Sequence, residues 1–335
     1  MTPCVMAYDI GGSKVRAGLI ASSGEIFDQL GAPSRAQEGP DGIMSVAQAL
    51  TQTLLGRNRR NVDHAAAVGV STGGVVQTKT GVIAAAADFM PGWNGFEIKK
   101  AFESAFSRRV LVDNDGNCAL YAEIWKQSLA GRDAILLALG TGLGGAIYSN
   151  GALRAGTFFL AGHFGQTLVG DLSRPDEWEQ LETTLSGDGL AKLARRIQGE
   201  QAAKGGIDCE DCDENALTLF ADGHAVIAAL SAGGAAGDVA EAAVSRWARL
   251  LATTCHNLQW NYDPETISIG GGMIEAKSLW WSKFCQSLEA VNRRFGLPAN
   301  MDVRPATLGN DAAMVGAGLM AWQALHLCNG SEDGA

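Results

Sequence analysis

The residues of this chain that could do chemistry fall in four glycine-punctuated segments, in a fixed order. They are Asp9-Ile10-Gly11-Gly12-Ser13-Lys14, Asp113-Asn114-Asp115-Gly116-Asn117, Gly140-Thr141-Gly142-Leu143-Gly144-Gly145 and Gly270-Gly271-Gly272. Three of them end an apolar, β-rich run (residues 5–8, 135–139 and 267–269). Bare glycine backbone at a strand end lets a polyphosphate approach the N–H groups with no side chain in between. The remaining segment supplies carboxylates. Moving a phosphoryl group onto a hydroxyl needs both, donors for the phosphates and a base for the acceptor.

Alternating strands and helices must position these segments. The pattern predicts a hairpin of strands 5–8 and 15–19 around the first glycine turn, a helix over 44–55, and a strand over 66–70 that ends at Ser71-Thr72-Gly73-Gly74. A strand at 110–112 runs into the acidic segment, followed by a helix from about Asn117 to Leu129. Strands 135–139 and 146–148 follow, and Asn150-Gly151 is a strong hairpin dipeptide. The small-residue stretch 231–237 reads as a linker, with Asp238 capping a helix whose Val239, Val244, Trp247, Leu251, Thr254 and Leu258 share a face. Leu319, Trp322 and Leu325 suggest a last helix. The strand–turn–strand unit of residues 5–20 is echoed at 134–148, as two related halves would require.

Length and composition agree with an enzyme of this kind. A chain of 335 residues exceeds what one core usually organises, so two domains are expected: 1–115, joined by a returning C-terminal helix at about 312–328, and 116–311. The 43 glycines are about 13% of the chain against a usual 7% or so, and they follow no collagen period. They mark tight turns and ligand approach. A net charge of -10 argues against a nucleic-acid partner, because phosphate backbones need clustered Lys and Arg; the run Arg57 to Arg60 reads as a solvated helix end. With no leader-like N-terminus and no apolar stretch of spanning length, a cytoplasmic protein without a membrane partner is expected. The seven cysteines are odd in number and scattered, as reduced thiols are, and Cys209-Glu-Asp-Cys212 is half of a zinc site with no second half.

Taken in order, Asp-Ile-Gly-Gly-Ser-Lys, Gly-Val-Ser-Thr-Gly-Gly, Asp-Asn-Asp-Gly-Asn-Cys-Ala, Leu-Gly-Thr-Gly-Leu-Gly-Gly, Ala-Gly-His-Phe-Gly-Gln, Ile-Gly-Gly-Gly and Leu-Gly-Asn-Asp-Ala resemble the ROK family of sugar kinases and repressors over residues 5–325. Residues 71–74 and 113–119 look most like its N-acetylmannosamine kinases. The resemblance implies an α/β, actin-like (ribonuclease-H-like) ATPase fold, with two α/β domains about a hinged cleft. It also implies a homodimer, an ATP and Mg²⁺ requirement, and a hexose or N-acetylhexosamine as substrate, phosphorylated on its 6-hydroxyl. Repressor members carry an N-terminal helix-turn-helix; Asp9 comes too early to leave room for one, so the kinase is expected over a DNA-binding protein, and Asp9 and Asp115, two carboxylates a binder would not need, set it above a non-catalytic sugar-binding or regulatory protein.

The same resemblance assigns roles. Asp115 is the general base, and Gly73, Gly74, Asp88, Asn114, His163, Gln166 and Glu182 contact the sugar together with it. Gly11, Gly12, Ser13 and Lys14 cradle phosphate from one domain, and Gly140, Thr141, Gly142 and Gly144 from the other. Gly271 and Gly272 pass the adenosine. Asp9 holds Mg²⁺ through water, as suits an ion that takes one or two carboxylates plus waters and phosphates.

Two positions depart from the family. Its Glu-x-Gly-His segment places a glutamate on the sugar and a histidine on a structural zinc; here those positions are His163 and Gln166. The cysteine-rich zinc loop is also missing, since 166–182 contains no cysteine, and joint loss of the ligands is self-consistent. No zinc is expected, and a pocket without the glutamate is expected to favour a sugar other than glucose. Finally, Gly140-x-Gly142-x-x-Gly145 matches the dinucleotide fingerprint, but strand-like residues follow it instead of a helix, with no acid before Asp171, which excludes a dehydrogenase.

Overall fold

The structure is a computed structural model that describes residues 3–58, 67–86, 90–170, 178–204, 219–297 and 301–329. Two compact units divide it. The first comprises Met1–Ala130, Ala152–Ala161 and Asn310–Ala335, and the second Gly131–Gly151 and Gly162–Gly309.

In the first unit, β1 (Cys4–Ile10), β2 (Lys14–Ala21) and β3 (Ile26–Pro33) form an antiparallel meander, and β4 (Ala67–Thr72) and β7 (Arg109–Asn114) add in parallel to give the order β3-β2-β1-β4-β7. Both faces of the central strands are covered, so they read as apolar runs without alternation. On one face Met6, Tyr8, Val15, Ala17, Val68 and Val70 meet α1 (Gly39–Asn58) and α2 (Ile98–Phe106) in one core. Helix α1 has its apolar residues at helical spacing, Ile43, Val46, Ala47, Leu50 and Leu54, and buries that stripe. Tyr8 sets its ring edge-on to Phe102, 5.0 Å between centroids, and its hydroxyl bonds Thr51 of α1. The last helix, α8 (Ala312–Asn329), takes the opposite face and packs along α3 (Asp115–Lys126). It approaches so closely that a Cβ on Gly69 would stand 2.0 Å from the Ala317 carbonyl oxygen, and one on Gly316 1.8 Å from that of Cys118. These glycines let α8 lie directly over β4 and against α3. A short hairpin of β5 (Val75–Gln77) and β6 (Val82–Ala85) completes the unit.

The second unit repeats the plan. Strand β8 (Ala134–Leu139) pairs antiparallel with β9 (Leu143–Ser149) and parallel with β13 (Thr266–Gly270), which pairs parallel with β14 (Asp302–Pro305). The order β9-β8-β13-β14 thus matches β2-β1-β4-β7, hairpin first and two parallel strands after; the echo between 5–20 and 134–148 is the hairpin part of this repeat. The chain leaves β9 through Asn150 and Gly151, both at positive φ, into β10 (Ala152–Leu153). A small hairpin of β11 (Leu168–Gly170) and β12 (Trp178–Gln180) precedes α4 (Gly187–Lys204), α5 (Gly223–Ala232), α6 (Gly234–Tyr262) and α7 (Lys277–Phe295). Trp247 of α6 and Trp280 of α7 meet edge to face at 5.3 Å, fully buried, and their indole N–H groups donate to the Ser186 and Met273 carbonyls. Each large ring is buried with its polar atom satisfied.

Two expectations change. Residues 231–237 are not a linker: Gly233 and Gly234, at φ 74° and 71°, mark the break between two helices, and the alanines around them are strong helix formers. Asp238 accordingly lies inside α6, whose N-cap is Gly233. Helix α3 is part of the first unit, as is α8. Cys209 and Cys212 lie outside the described residues.

Candidate active site

Parallel pairing aligns three strand ends in the first unit. Asp9 of β1 is level with Ser71 of β4, and Ser71 with Asp113 of β7, so the carboxyl ends of three neighbouring strands carry the polar residues. Open α/β sheets bind ligands at such ends. The Ser71 hydroxyl donates to Asp9 at 3.1 Å. Beyond β7, Asn114 leaves the strand at φ -64°, ψ 147° and caps α3, its side-chain oxygen accepting the Gly116 N–H at 2.9 Å. Asn114 also donates through Nδ2 to the Gly74 carbonyl at 2.8 Å, tying the second and third strand ends together. The helix therefore starts two residues earlier than its apolar pattern suggests, and Asp115 is its first residue.

Asp115 is exposed, with Oδ1 accepting the Gly116 N–H at 2.8 Å. A Cβ on Gly73 would lie 4.0 Å from Asp115 Oδ2, so the glycine leaves the space beside the carboxylate open. Desolvation by the surrounding protein raises the pKa of Asp115, against the opposing effect of the Gly116 N–H and the Asn114 side chain. Asp9 is raised to about 6, chiefly by burial, then by the negative charge of Asp115; Ser71 and Arg16 act the other way. Arg16 in turn pairs with Asp311 at the start of α8. Buried Asp113 is also raised to about 6 by burial, although its Oδ1 accepts the Asn114 N–H and Asn117 Nδ2, each at 2.7 Å.

The turn between β1 and β2 is closed by the Gly11 N–H on the Lys14 carbonyl at 2.9 Å. Ser34, which the motifs do not reveal, braces it: its N–H donates to the Ser13 carbonyl at 3.0 Å and its hydroxyl to the Gly12 carbonyl. The Lys14 stem crosses β3 at Gly31, where a Cβ would lie 2.6 Å from Lys14 Cε. Trp93 is another residue that motif reading misses, fully buried with its indole N–H on Thr72 Oγ1 at 3.1 Å. Asp88 lies outside the described residues.

The second unit brings together its own set. The Gly140 N–H donates to the Gly142 carbonyl at 2.9 Å, and the Gly187 N–H at the start of α4 donates to the Gly140 carbonyl at 2.7 Å. Gly271, at φ 83°, crosses the end of β8 so closely that a Cβ would stand 2.3 Å from the Leu139 carbonyl oxygen. Gly144 lies on β9, and a Cβ on Gly272 would meet nothing within 4 Å. Glu182 borders the same turn: its Oε2 accepts the Leu143 N–H at 3.4 Å, and a Cβ on Gly142 would be 2.9 Å from it. Gln166 donates to Glu182 Oε1 at 2.9 Å and accepts from Gln180 Nε2 at 2.8 Å, so its amide orients the glutamate. His163, half-buried after Gly162, has a pKa lowered by burial, which keeps its ring neutral at pH 7. Among the described residues no three His, Cys, Asp or Glu side chains gather as a metal site, and no helix is long and apolar enough to cross a membrane.

Two units of like topology, each with a hairpin turn of glycines at its leading strands, and a carboxylate pair at the strand ends of the first, define a phosphotransferase of the actin-like ATPase fold. The ROK family model matches residues 5–324, and the chain belongs to the ROK family. It is 32% identical over 330 residues to the glucokinase of Halalkalibacterium halodurans, covering 95% of this chain and 94% of that one. It is 27% identical over 321 residues to an N-acetylmannosamine kinase of Escherichia coli, covering 94% and 97%. Among solved structures, a ROK family glucokinase from Streptomyces griseus in complex with glucose and AMPPNP superposes with a TM-score of 0.72 at 25% identity, over 96% of this chain and 99% of that one.

Proposed function

We propose that the chain is an ATP-dependent sugar kinase that phosphorylates a hexose or N-acetylhexosamine at its 6-hydroxyl, with Asp115 as general base. One observation carries this reading: the exposed Asp115 carboxylate heads α3 at the aligned strand ends, beside the side-chain-free Gly73, in the unit whose first hairpin closes in a glycine turn suited to phosphate. The Asp115 carboxylate takes the proton of the acceptor hydroxyl. The freed oxygen forms its bond to the γ-phosphorus as the bridging P–O bond breaks, and that electron pair leaves with ADP.

A raised carboxyl pKa suits the base, because it brings the proton affinity closer to that of the alkoxide it helps to form. Asn114 uses one N–H on Gly74 and one oxygen lone pair on Gly116, leaving a second N–H for a sugar hydroxyl. The glycine turns of 11–14 and 140–144, with Gly271 and Gly272, take the nucleotide. His163 and Glu182, the latter oriented by Gln166, take the rest of the ring. Asp9 fits Mg²⁺: it is a hard oxygen ligand whose own charge is strained by Asp115, and a divalent cation relieves that repulsion. When bound, the ion neutralises charge on the phosphates. No zinc is part of this reading.

Sugar binding without turnover is the rival. Holding Asp9 and Asp115 where their charges are disfavoured costs stability that a simple binder has no use for. The deciding experiment is ATP turnover against a panel of hexoses and N-acetylhexosamines, with positional analysis of the product. Sugar binding without ADP release from any of them would refute the enzyme.

A further inference from the structure

A cavity of about 530 Å³ opens on the second unit where α6 ends and the chain turns into β13, and its size is that of a small-ligand site. Gln259, Trp260, Asp263 and Glu265 line it. Glu265 immediately precedes β13 and Gly271 immediately follows it, so the rise of the strand alone sets the cavity about 20 Å from that glycine, at the other end of the sheet. The phosphoryl transfer uses nothing at this end.

Trp260 is 62% exposed, yet its ring is held. The indole N–H donates to Nε2 of the buried His256 at 3.1 Å; an indole can only donate, so that nitrogen carries no proton, and the Nδ1–H faces Asn292 Oδ1 at 2.9 Å. A large ring that is fixed in place and open to solvent loses little rotamer freedom when a ligand covers it. Pro264, Leu297 and Met301 supply apolar wall around it.

The polar side chains of the wall have acceptors to offer and no donors left. Gln259 spends its Nε2 on Asp263 Oδ1 at 3.0 Å and on the Pro264 carbonyl at 3.3 Å, which fixes the amide's orientation. Its Oε1 is buried and has no hydrogen-bond partner among the described residues. Asp263 and Glu265 add exposed carboxylates; Arg132 stands 3.9 Å from Glu265 with both side chains more than half exposed, too loose a pair to neutralise it. The backbone N–H groups of Asp263, Glu265 and Leu297 are taken by the carbonyls of Gln259, Asp133 and Asn292. A hexose hydroxyl both donates and accepts, and its acceptor side finds no partner on such a wall. A primary ammonium only donates, carries the charge that two carboxylates call for, and is attracted to the face of an indole.

We propose that this cavity is a second ligand site that takes a primary organic ammonium ion. Its N–H groups meet Gln259, Asp263 and Glu265, its charge lies over Trp260, and its apolar body rests on Pro264, Leu297 and Met301. The occupant is neither phosphoryl donor nor acceptor, and the site stands whether or not the kinase reading does.

The test is titration calorimetry of the full-length protein at neutral pH with 2-phenylethylammonium, its N,N,N-trimethyl form, neutral 2-phenylethanol, and glucose. The variants are Trp260→Leu, Asp263→Asn, Glu265→Gln and Asp263→Asn/Glu265→Gln, each checked by its melting temperature. All three positions are exposed, and asparagine tolerates the φ of 45° at Asp263, so the variants keep the fold. Partly exposed ion pairs and cation–π contacts set the scale: each single variant weakens the primary ammonium roughly threefold, and the double variant roughly tenfold. The trimethyl form, with charge and no N–H, binds roughly threefold more weakly than the primary ammonium, and the alcohol roughly tenfold more weakly. The carboxylate variants leave the alcohol's affinity unchanged. The proposal is overturned if the wild type does not bind the primary ammonium, if the double variant binds it as the wild type does, or if the trimethyl form or the alcohol binds as tightly. It is equally overturned if Trp260→Leu weakens glucose, which makes the cavity a sugar site, or if that variant changes the sedimentation coefficient and not the affinity, which makes this face a contact between copies of the chain. Failure of the kinase reading leaves all these titrations as they are.

Discussion

Asp113→Asn is expected to stabilise the protein at neutral pH and to leave it unchanged in mild acid. Asp113 is 6% exposed, and burial raises its pKa from 3.8 to about 6. Between those values the folded chain holds a proton that the unfolded chain has released, so stability falls as pH rises through the window, and the full penalty applies above pH 6. The rise from 3.8 to about 6 corresponds to roughly 3 kcal/mol, as an order of magnitude. Asparagine removes the charge and keeps an oxygen that can accept from the Asn114 N–H and Asn117 Nδ2, the two bonds Asp113 Oδ1 now receives. Melting by calorimetry at pH 4.0, 6.0 and 7.5 reads the effect. For a unit of about 150–250 residues, about 3 kcal/mol moves Tm by roughly 6–12 °C, so the variant gains that much at pH 7.5 and next to nothing at pH 4.0. Equal melting temperatures at pH 7.5, or a variant that is less stable there, would refute the reasoning and show that the two accepted bonds outweigh desolvation.

Three further outcomes follow from the same residues. Asp115→Asn keeps the fold and ADP binding but lowers kcat by roughly 10²–10⁴-fold, the range of a positioned base; near wild-type turnover removes Asp115 from the mechanism. Elemental analysis finds no stoichiometric zinc, since 166–182 has no cysteine and Gln166 spends its amide on Glu182 and Gln180; one tightly held zinc per chain contradicts this. A neutral His163 offers a donor and an acceptor where a glutamate only accepts, so glucose is not the best substrate and His163→Glu shifts preference toward it by roughly tenfold or more. A panel in which glucose has the highest kcat/KM for the wild type overturns that reading.

Much of the fold was legible because the central strands are short apolar runs that stop at glycines or acids. Strands β1, β4, β7, β8 and β13 were each visible from that pattern, whereas the parallel order of the sheets rests on pairings between distant segments that the pattern does not state. What was not legible depends on three-dimensional proximity. Ser34 reads as an ordinary loop serine, yet it fixes the carbonyls of Gly12 and Ser13 from across the sheet edge. Nothing near Gly69 or Gly316 in the sequence says that a helix backbone will pass within 2.0 Å of where a side chain would stand. Residues 231–237 misled because small residues signal both linkers and helix contacts, and the alanines settled the matter locally.

The same distinction separates what the motifs say of the site from what the packing adds. Motifs name Asp9 and Glu182, but each owes its environment to a neighbour from another segment of the chain. Asp9 owes its raised pKa to burial and to the charge of Asp115, and it is held by Ser71 from the adjacent strand. Glu182 is oriented by Gln166, which replaces a histidine of the family, and Gln166 is itself held by Gln180. An amide can do this orienting because it donates to the carboxylate with one end and accepts with the other, a polarity that histidine bound to a metal would reach by different means. The departure from the family pattern at 163 and 166 is therefore internally consistent: a site that replaces the metal-ligating histidine by an amide keeps its glutamate in place with hydrogen bonds, and it changes the character of the one position, His163, that those bonds do not fix.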